Sequence, residues 1–127
     1  MPGFELFGEE EKKQVNEVLE TGILMRYGFD GPRNGMWKSK ELEAAVCSTF
    51  GSQYAQLTSS GTAALTTAMA ALGVGVGDEV IMPAFTFVAS FEAILSMGAI
   101  PVLVDIDESL TLSPAAVKAA ITSKTKC

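Results

Sequence analysis

Strand-like and helix-like segments alternate after residue 54, and this alternation predicts an α/β fold with a mainly parallel sheet. Short apolar runs at residues 54–58, 79–82 and 101–105 are typical of buried strands. Between them, residues 62–72 and 87–97 have the composition of helices. Connections of this kind are right-handed crossovers, which keep the flanking strands parallel.

Two helices are predicted before the first of these strands. Residues 9–21 carry apolar side chains at helical spacing, and Gly22 is placed to end that helix. Residues 38–50 form the second helix, and Gly51 follows it as a cap. The apolar positions are Val15, Val18 and Leu19 in the first helix and Leu42, Ala45, Val46 and Phe50 in the second.

Local turn and cap signals define the remaining helix ends. The three glycines in residues 73–77 follow a helix and precede a strand, so they predict a turn rather than a dinucleotide-binding loop. Gly98 is expected to close the helix over residues 87–97. Ser113 is a good N-cap with proline directly after it, which predicts a last helix over residues 114–122.

Residues 23–37 combine glycines with aromatic and methionine side chains, which is unusual for a loop. The aromatic members are Tyr27, Phe29 and Trp37. Two interpretations stay open: the loop covers a ligand, or its aromatic side chains pack against a neighbouring subunit or domain.

Composition argues against several functional classes. The chain has 127 residues and a formal net charge of −6, whereas a nucleic-acid-binding protein normally presents a basic face. No histidine is present, which excludes His-based catalytic triads and His metal sites within these residues. Cys47 and Cys127 are expected to be free thiols in a reducing compartment.

Neither a leader nor a membrane helix is predicted. Residues 1–13 are acidic and lack the apolar core of a signal peptide. The most apolar stretch, residues 87–104, contains Glu92, Gly98 and Pro101, which argues against a helix that spans a membrane. The expected location is therefore the cytoplasm.

The segment that follows the first predicted strand is a candidate anion site. Ligands of parallel sheets bind beyond the carboxyl ends of the strands, and residues 59–63 leave a strand there and open a helix. Free backbone N–H groups in the first helical turn suit a phosphate, and Gly61 allows close approach. Ser60 and Thr62 add hydroxyl groups. An ordinary Ser/Thr N-cap is the alternative interpretation.

Two other segments leave strands at the same edge. Residues 83–90 place Phe85 and Phe87 at the mouth of the second strand, where they either stack on a planar cofactor ring or pack in the core. Residues 105–108 hold three carboxylates without histidine or cysteine, so a transition-metal site is not expected. Asp107 and Glu108 are predicted to be solvated.

Taken in order and spacing, these segments resemble the DegT-type sugar-nucleotide aminotransferases, a family of pyridoxal-phosphate (PLP) enzymes of fold type I. The matching pieces are Phe50-Gly51, Tyr54-Ala55, residues 59–65 (SSGTAAL), residues 77–81 (GDEVI), residues 83–90 (PAFTFVAS), residues 98–102 (GAIPV) and residues 104–107 (VDID). The likeness covers residues 50–122 and extends more loosely to the N-terminal helices. It implies an incomplete large domain of the three-layer α/β/α PLP-transferase fold, with a mainly parallel sheet.

The resemblance also implies roles for single residues. Gly61, Thr62 and Ala63, together with Ser60, would bind the phosphate of pyridoxal 5'-phosphate. Phe87 would lie against the pyridine ring. The aromatic loop would border the active site or a homodimer interface. Residues 1–37 are expected to form an N-terminal helix and loop, and residues 38–127 a partial PLP-binding domain.

The function implied is the transfer of an amino group, with glutamate as the expected donor, to a keto-sugar nucleotide. The Schiff-base lysine of such enzymes comes later in the family than residue 127, so no catalytic residue is assigned in this chain. The residues are expected to be an N-terminal fragment that is inactive and poorly folded alone, with its first strand separate from the next two. Residues 122–127 are expected to lead into another strand.

Three alternatives stay open. The first is a PLP-dependent sugar dehydratase of the same fold, in which histidine replaces the lysine. The second is a non-catalytic, truncated or partner-binding product. The third is an unrelated phosphate-binding α/β module. Neither nucleic acid nor a membrane is an expected partner.

Overall fold

The computed structural model describes residues 3–127, and they divide into two compact units, one up to Leu57 and one from Thr58 onward. The predicted domains, residues 1–37 and 38–127, follow a different division. They stay a prediction, because compactness within this chain does not test the domain limits of a longer protein.

The first unit is helical. After a short 3-10 helix at Phe4–Leu6, it contains α1 (Glu9–Thr21), α2 (Asp30–Arg33) and α3 (Lys38–Phe50). The predicted bounds of α1 and α3 are confirmed. Both helices end at a glycine in the left-handed region, with φ of 66° at Gly22 and 67° at Gly51. Glycine adopts this conformation without a steric penalty, so it terminates helices efficiently.

The prediction that residues 23–37 form a loop is wrong in part, because Asp30–Arg33 form the short helix α2. Phe29 and Asn34 flank its single turn, and both have positive φ, at 61° and 50°. Four helical residues are too few to show a helical period in sequence, and a left-handed phenylalanine has no sequence signal. The local sequence therefore could not predict this turn.

Glu43 lies on α3 and binds both Arg26, in the loop of residues 23–37, and Leu57, the last residue of the first unit. Its carboxylate oxygens accept hydrogen bonds from Arg26 Nη2 at 2.6 and 2.8 Å. One of them also accepts the backbone N–H of Leu57 at 2.8 Å. The Arg26 guanidinium, and then the Leu57 N–H, lower the pKa of Glu43 from its ordinary value of 4.5.

The second unit is an α/β arrangement, as predicted. It contains α4 (Gly61–Ala71), β1 (Glu79–Pro83), α5 (Val88–Ser96), β2 (Ile100–Val104) and α6 (Pro114–Ala120). β1 and β2 pair in parallel, from Glu79 with Ile100 to Pro83 with Val104. α5 crosses between the strands and packs on both, and α4 packs on α5.

The prediction that residues 54–58 form a strand is wrong for this structure, in which they are not assigned as one. The named sheet of the described residues contains β1 and β2 alone. An extended segment becomes a strand when its N–H and C=O groups pair with a neighbour. Tyr54 is 80% exposed, so this apolar segment lacks the burial that its composition predicts.

The last residues run along the other edge of β1. The Glu79 N–H donates to Lys124 O at 2.9 Å, and the Lys126 N–H donates to Glu79 O at 2.8 Å. The Ile81 N–H donates to Cys127 O at 2.9 Å. These bonds form an isolated parallel bridge between Glu79 and Thr125 rather than a named strand. That residues 122–127 lead into another strand stays a prediction.

The core of the second unit lies between β1 and the helices that cover it. Val80 and Met82 point from alternate positions of β1 and are buried. They pack with Met69 of α4 and with Ala93 and Ile94 of α5. Apolar burial of this kind is the main favourable term in folding.

None of the helices in residues 3–127 is both long enough and apolar enough to cross a membrane. Cys47 is half-buried and Cys127 is exposed, and both are free thiols.

Among the glycines of the second unit, Gly98 has the least space for a side chain. It ends the α5 turn with φ of 71°, and a Cβ there would lie 2.8 Å from Cγ2 of Val76. We predict that Gly98→Ala lowers the free energy of unfolding by about 1–2 kcal/mol from the left-handed conformation alone. Urea unfolding of the complete protein measures this, with Gly75→Ala as control, since a Cβ at Gly75 meets no atom within 4 Å. Equal midpoints for the two variants would contradict the prediction.

The Glu43–Arg26 pair predicts a pH dependence of stability. Because the pKa of Glu43 is lower in the folded protein than its ordinary 4.5, the ion pair stabilises the fold above pH 4.5. That contribution is lost as the pH falls through the folded pKa. Glu43→Gln should therefore lower the unfolding midpoint at neutral pH, and the difference from wild type should shrink below pH 4.5.

The control for this measurement is Glu20→Gln. Glu20 is exposed and makes no ion pair or side-chain hydrogen bond within residues 3–127. Its variant should follow the wild-type profile at every pH. A Glu43→Gln difference that is constant with pH would show that the ion pair contributes nothing.

Candidate functional site

The N-terminus of α4 is organised by Ser60. Its Oγ accepts the N–H of Ala63 at 3.1 Å, and its carbonyl oxygen accepts the N–H of Ala64 at 3.0 Å. The Thr58 hydroxyl donates to the same carbonyl at 2.9 Å. These bonds make Ser60 an N-cap, which fixes the direction in which the helix starts.

The cap leaves two backbone donors free. Neither the Gly61 N–H nor the Thr62 N–H has a hydrogen-bond partner within residues 3–127. Both belong to the first turn of an eleven-residue helix, where the helix dipole is positive. A Cβ at Gly61 would meet no atom within 4 Å, so the space over this turn is open. The arrangement suits an oxyanion.

Phe87 lies beside this turn. It is the N-cap residue of α5, it is extended with φ of −72° and ψ of 143°, and its side chain is 77% exposed. A groove of about 640 Å³ joins it to the start of α4. The residues that line this groove are Gly61, Thr62, Ala64, Leu65, Ala68, Phe87, Ala89 and Ser90.

The groove is mainly apolar, with surface from Phe87 and Leu65. Gly61 and Thr62, whose backbone N–H groups are free, also line it. The arrangement can hold a flat, partly apolar molecule that carries an anionic group. The hydroxyls of Thr86 and Ser90, 3.1 Å apart, add polar groups at the start of α5.

The structure thus brings three of the five predicted cofactor-binding residues to one groove: Gly61, Thr62 and Phe87. The other two residues lie in the turn but do not line the groove. Ser60 caps the helix and Ala63 donates its N–H to that cap. Phe85, the other aromatic of its segment, is exposed outside the groove.

The carboxylates of residues 105–108 do not join this groove. Asp107 and Glu108 are exposed, as predicted. Asp107 Oδ1 accepts hydrogen bonds from the hydroxyl of Ser109 at 2.5 Å and from its N–H at 2.9 Å. These two bonds lower the pKa of Asp107. Nowhere in residues 3–127 do three or more His, Cys, Asp or Glu side chains form a group that could hold a metal ion.

One feature of the first unit has no counterpart in the sequence-based predictions. Arg33 is buried, with 6% of its surface exposed, and it lies beside Trp37 in a cavity of about 250 Å³. Both arginines of the chain belong to residues 23–37. The presence of both arginines in this one short segment could have drawn attention to it. It could not show which of the two is buried.

The profile of the DegT/DnrJ/EryC1/StrS aminotransferase family matches residues 6–127. Among solved structures, 3-amino-5-hydroxybenzoic acid synthase is 36% identical with a TM-score of 0.84, and the match covers 94% of this chain and 29% of that one. A Streptococcus pneumoniae protein named as a sugar aminotransferase, in its PMP form, is 35% identical with a TM-score of 0.81, covering 94% and 28%.

A third similar structure is a GDP-4-keto-6-deoxymannose-3-dehydratase with a trapped PLP–glutamate geminal diamine. It is 28% identical with a TM-score of 0.76, and the match covers 94% of this chain and 30% of that one. The chain therefore spans less than a third of the length of the structures that it matches. Its partial α/β domain has the fold of the corresponding part of these enzymes. The chain belongs to the DegT/DnrJ/EryC1/StrS aminotransferase family, as its motifs indicated.

Proposed function

We propose that the complete protein that contains this chain is a PLP-dependent enzyme that transfers an amino group from an amino acid to a keto-sugar nucleotide. The observation that carries the proposal is the groove in which two free backbone N–H donors lie beside an exposed aromatic ring. Family membership and the match to a sugar aminotransferase support the same reaction class.

The groove fits the two parts of PLP that any binding site must recognise. A phosphate needs donors and positive potential, which the Gly61 and Thr62 N–H groups provide at the start of α4. A pyridine ring needs an apolar face, which Phe87 offers. The volume of about 640 Å³ lies in the range of small-molecule sites. When bound, the cofactor acts as an electron sink for the amino-bearing carbon of the substrate.

In this proposal the five predicted residues have different tasks. Gly61 and Thr62 donate to the phosphate, and Phe87 positions the ring and excludes water from one face. Ser60 and Ala63 keep the turn in place through the N-cap hydrogen bond of 3.1 Å. The aromatic loop of residues 23–37 and a homodimer interface remain part of the same proposal, as does the domain limit at residue 37.

The proton transfers need a base that this groove does not contain. No lysine lines it, and the lysines of the second unit, Lys118, Lys124 and Lys126, are all exposed outside it. We therefore place the cofactor-bonding lysine of the family in another part of the complete protein. It follows that these 127 residues alone lack transaminase activity.

A sugar dehydratase is the second candidate function. The match to the GDP-4-keto-6-deoxymannose-3-dehydratase favours it, because that enzyme shares the fold over 94% of this chain. Its trapped adduct also contains glutamate, which supports glutamate as the amino donor proposed here. A histidine in place of the cofactor-bonding lysine would favour dehydration.

The role of Phe87 can be tested by truncation. Phe87→Ala should weaken PLP binding by the complete protein roughly three- to tenfold, because the ring loses its stacking surface. Titration followed by the visible absorbance of bound PLP measures the change. Phe85→Ala is the matched control, since Phe85 is exposed in the same segment and lies outside the groove. An equal loss in both variants would argue against the proposed site.

The reaction class can be tested with glutamate that carries an isotopic label on its amino nitrogen. Amino transfer predicts that the complete protein moves the label to the sugar nucleotide, as detected by mass spectrometry. Dehydration predicts a sugar that has lost water and carries no label. Unlabelled, unchanged sugar in the presence of PLP would contradict both candidate functions.

A further inference from the structure

The first unit contains a cavity that is lined only by residues of that unit. It holds about 250 Å³, and the residues that line it include Ile23, Met25, Arg33, Met36 and Trp37. Arg33 is the one charged residue that is buried among residues 3–127. A buried charge is costly unless it is paired or well hydrogen-bonded, so its surroundings indicate what it does.

The Arg33 side chain is held in place by backbone oxygens and an indole ring. Nε donates to Gly28 O at 2.9 Å, and Nη2 donates to Met25 O. The guanidinium carbon lies 4.7 Å from the centre of the Trp37 ring, and Trp37 Nε1 itself donates to Arg26 O at 2.8 Å. These contacts fix the plane of the guanidinium while its remaining N–H groups make no hydrogen bond within the described chain.

The charges around the cavity do not balance. Arg26 is paired with Glu43 at 2.6 Å, and Lys38 is paired with Glu17 at 2.8 Å. Arg33 has no carboxylate within 4.0 Å among residues 3–127. Of the three basic residues that line the cavity, Arg33 alone has no carboxylate partner. Lys40 does not line the cavity, but its Nζ lies 3.3 Å from the centre of the Trp37 ring.

We propose that this cavity binds the carboxylate of a small organic acid, with Arg33 as the residue that recognises it. The one unpaired charge in the cavity wall is balanced by a monoanion, whereas a phosphate monoester carries more negative charge than Arg33 alone can match. The planar fork of a guanidinium matches the two oxygens of a carboxylate. A volume of about 250 Å³ is below the usual range for complete ligand sites, so it suits the acidic end of a molecule.

The identity of the acid rests on the proposed function. An amino-transfer enzyme handles two molecules that can carry a carboxylate: the amino-acid donor and an acidic sugar. Glutamate and glucuronate represent these two sources. Glucuronamide has the shape of glucuronate without its charge, so it isolates the carboxylate from the sugar ring.

The test measures binding of glutamate, glucuronate, glucuronamide and inorganic phosphate to the complete protein by calorimetry. At least one acid should bind, and Arg33→Lys should weaken it roughly tenfold or more, because a point charge replaces the planar fork. Lys13→Ala is the control, since Lys13 is exposed and does not line the cavity. If glucuronate is the ligand, glucuronamide should bind at least roughly tenfold more weakly.

Several outcomes would overturn the inference. The first is that neither acid binds, and the second is that phosphate binds more tightly than both acids. The third is that glucuronate and glucuronamide bind equally while glutamate does not bind. The fourth is that Arg33→Lys leaves the affinity for the acid unchanged. If Arg33→Lys does not fold, Trp37→Phe tests the same cavity, because it removes the N–H that holds Arg26 O beside it. Weakened acid binding is the expected result, and unchanged binding counts against the proposal.

The same samples separate this inference from the proposed function. PLP absorbance reports the groove of the second unit, whereas the calorimetric signal that depends on Arg33 reports the cavity of the first. A protein without PLP binding but with Arg33-dependent acid binding would contradict the proposed function and leave the cavity assignment standing. The opposite result would contradict the cavity assignment alone.

Discussion

The parallel pairing of β1 with β2 is the constraint on which the candidate site depends. Two parallel strands require a crossover, and here α5 provides it and packs on both. The pairing brings the carboxyl ends of the strands to one edge, where the Ala84 N–H donates to Val104 O at 2.8 Å. The chain then turns directly into Phe87 and α5. Since α4 packs on α5, the free donors of Gly61 and Thr62 come to lie beside that ring.

What could be predicted from sequence depended on how local each signal was. The stop at Gly22 and the N-cap at Ser113 act within one turn, so α1 ended where expected and α6 began where expected. Residues 54–58 were wrongly predicted as a strand because a strand needs a distant partner that composition cannot reveal. The burial of Arg33 could not be predicted because it depends on the left-handed backbone at Phe29 and Asn34.

The candidate site was predicted in outline, and its details came from the geometry. The order of segments was enough to expect Gly61, Thr62 and Phe87 at one place. It could not distinguish Thr62, which lines the groove, from Ala63, whose N–H is used by the Ser60 cap. That distinction depends on which of the first-turn donors a capping hydroxyl reaches, and neighbouring residues in a sequence look equivalent in this respect.

The residues that pair between β1 and β2 are close together in sequence, and this affects the order of folding. Glu79 and Ile100 are joined by one helix and two short turns, so closing this loop costs little chain entropy. Contacts of such short range form early and are available during synthesis on the ribosome. The α5 crossover can thus act as a folding nucleus.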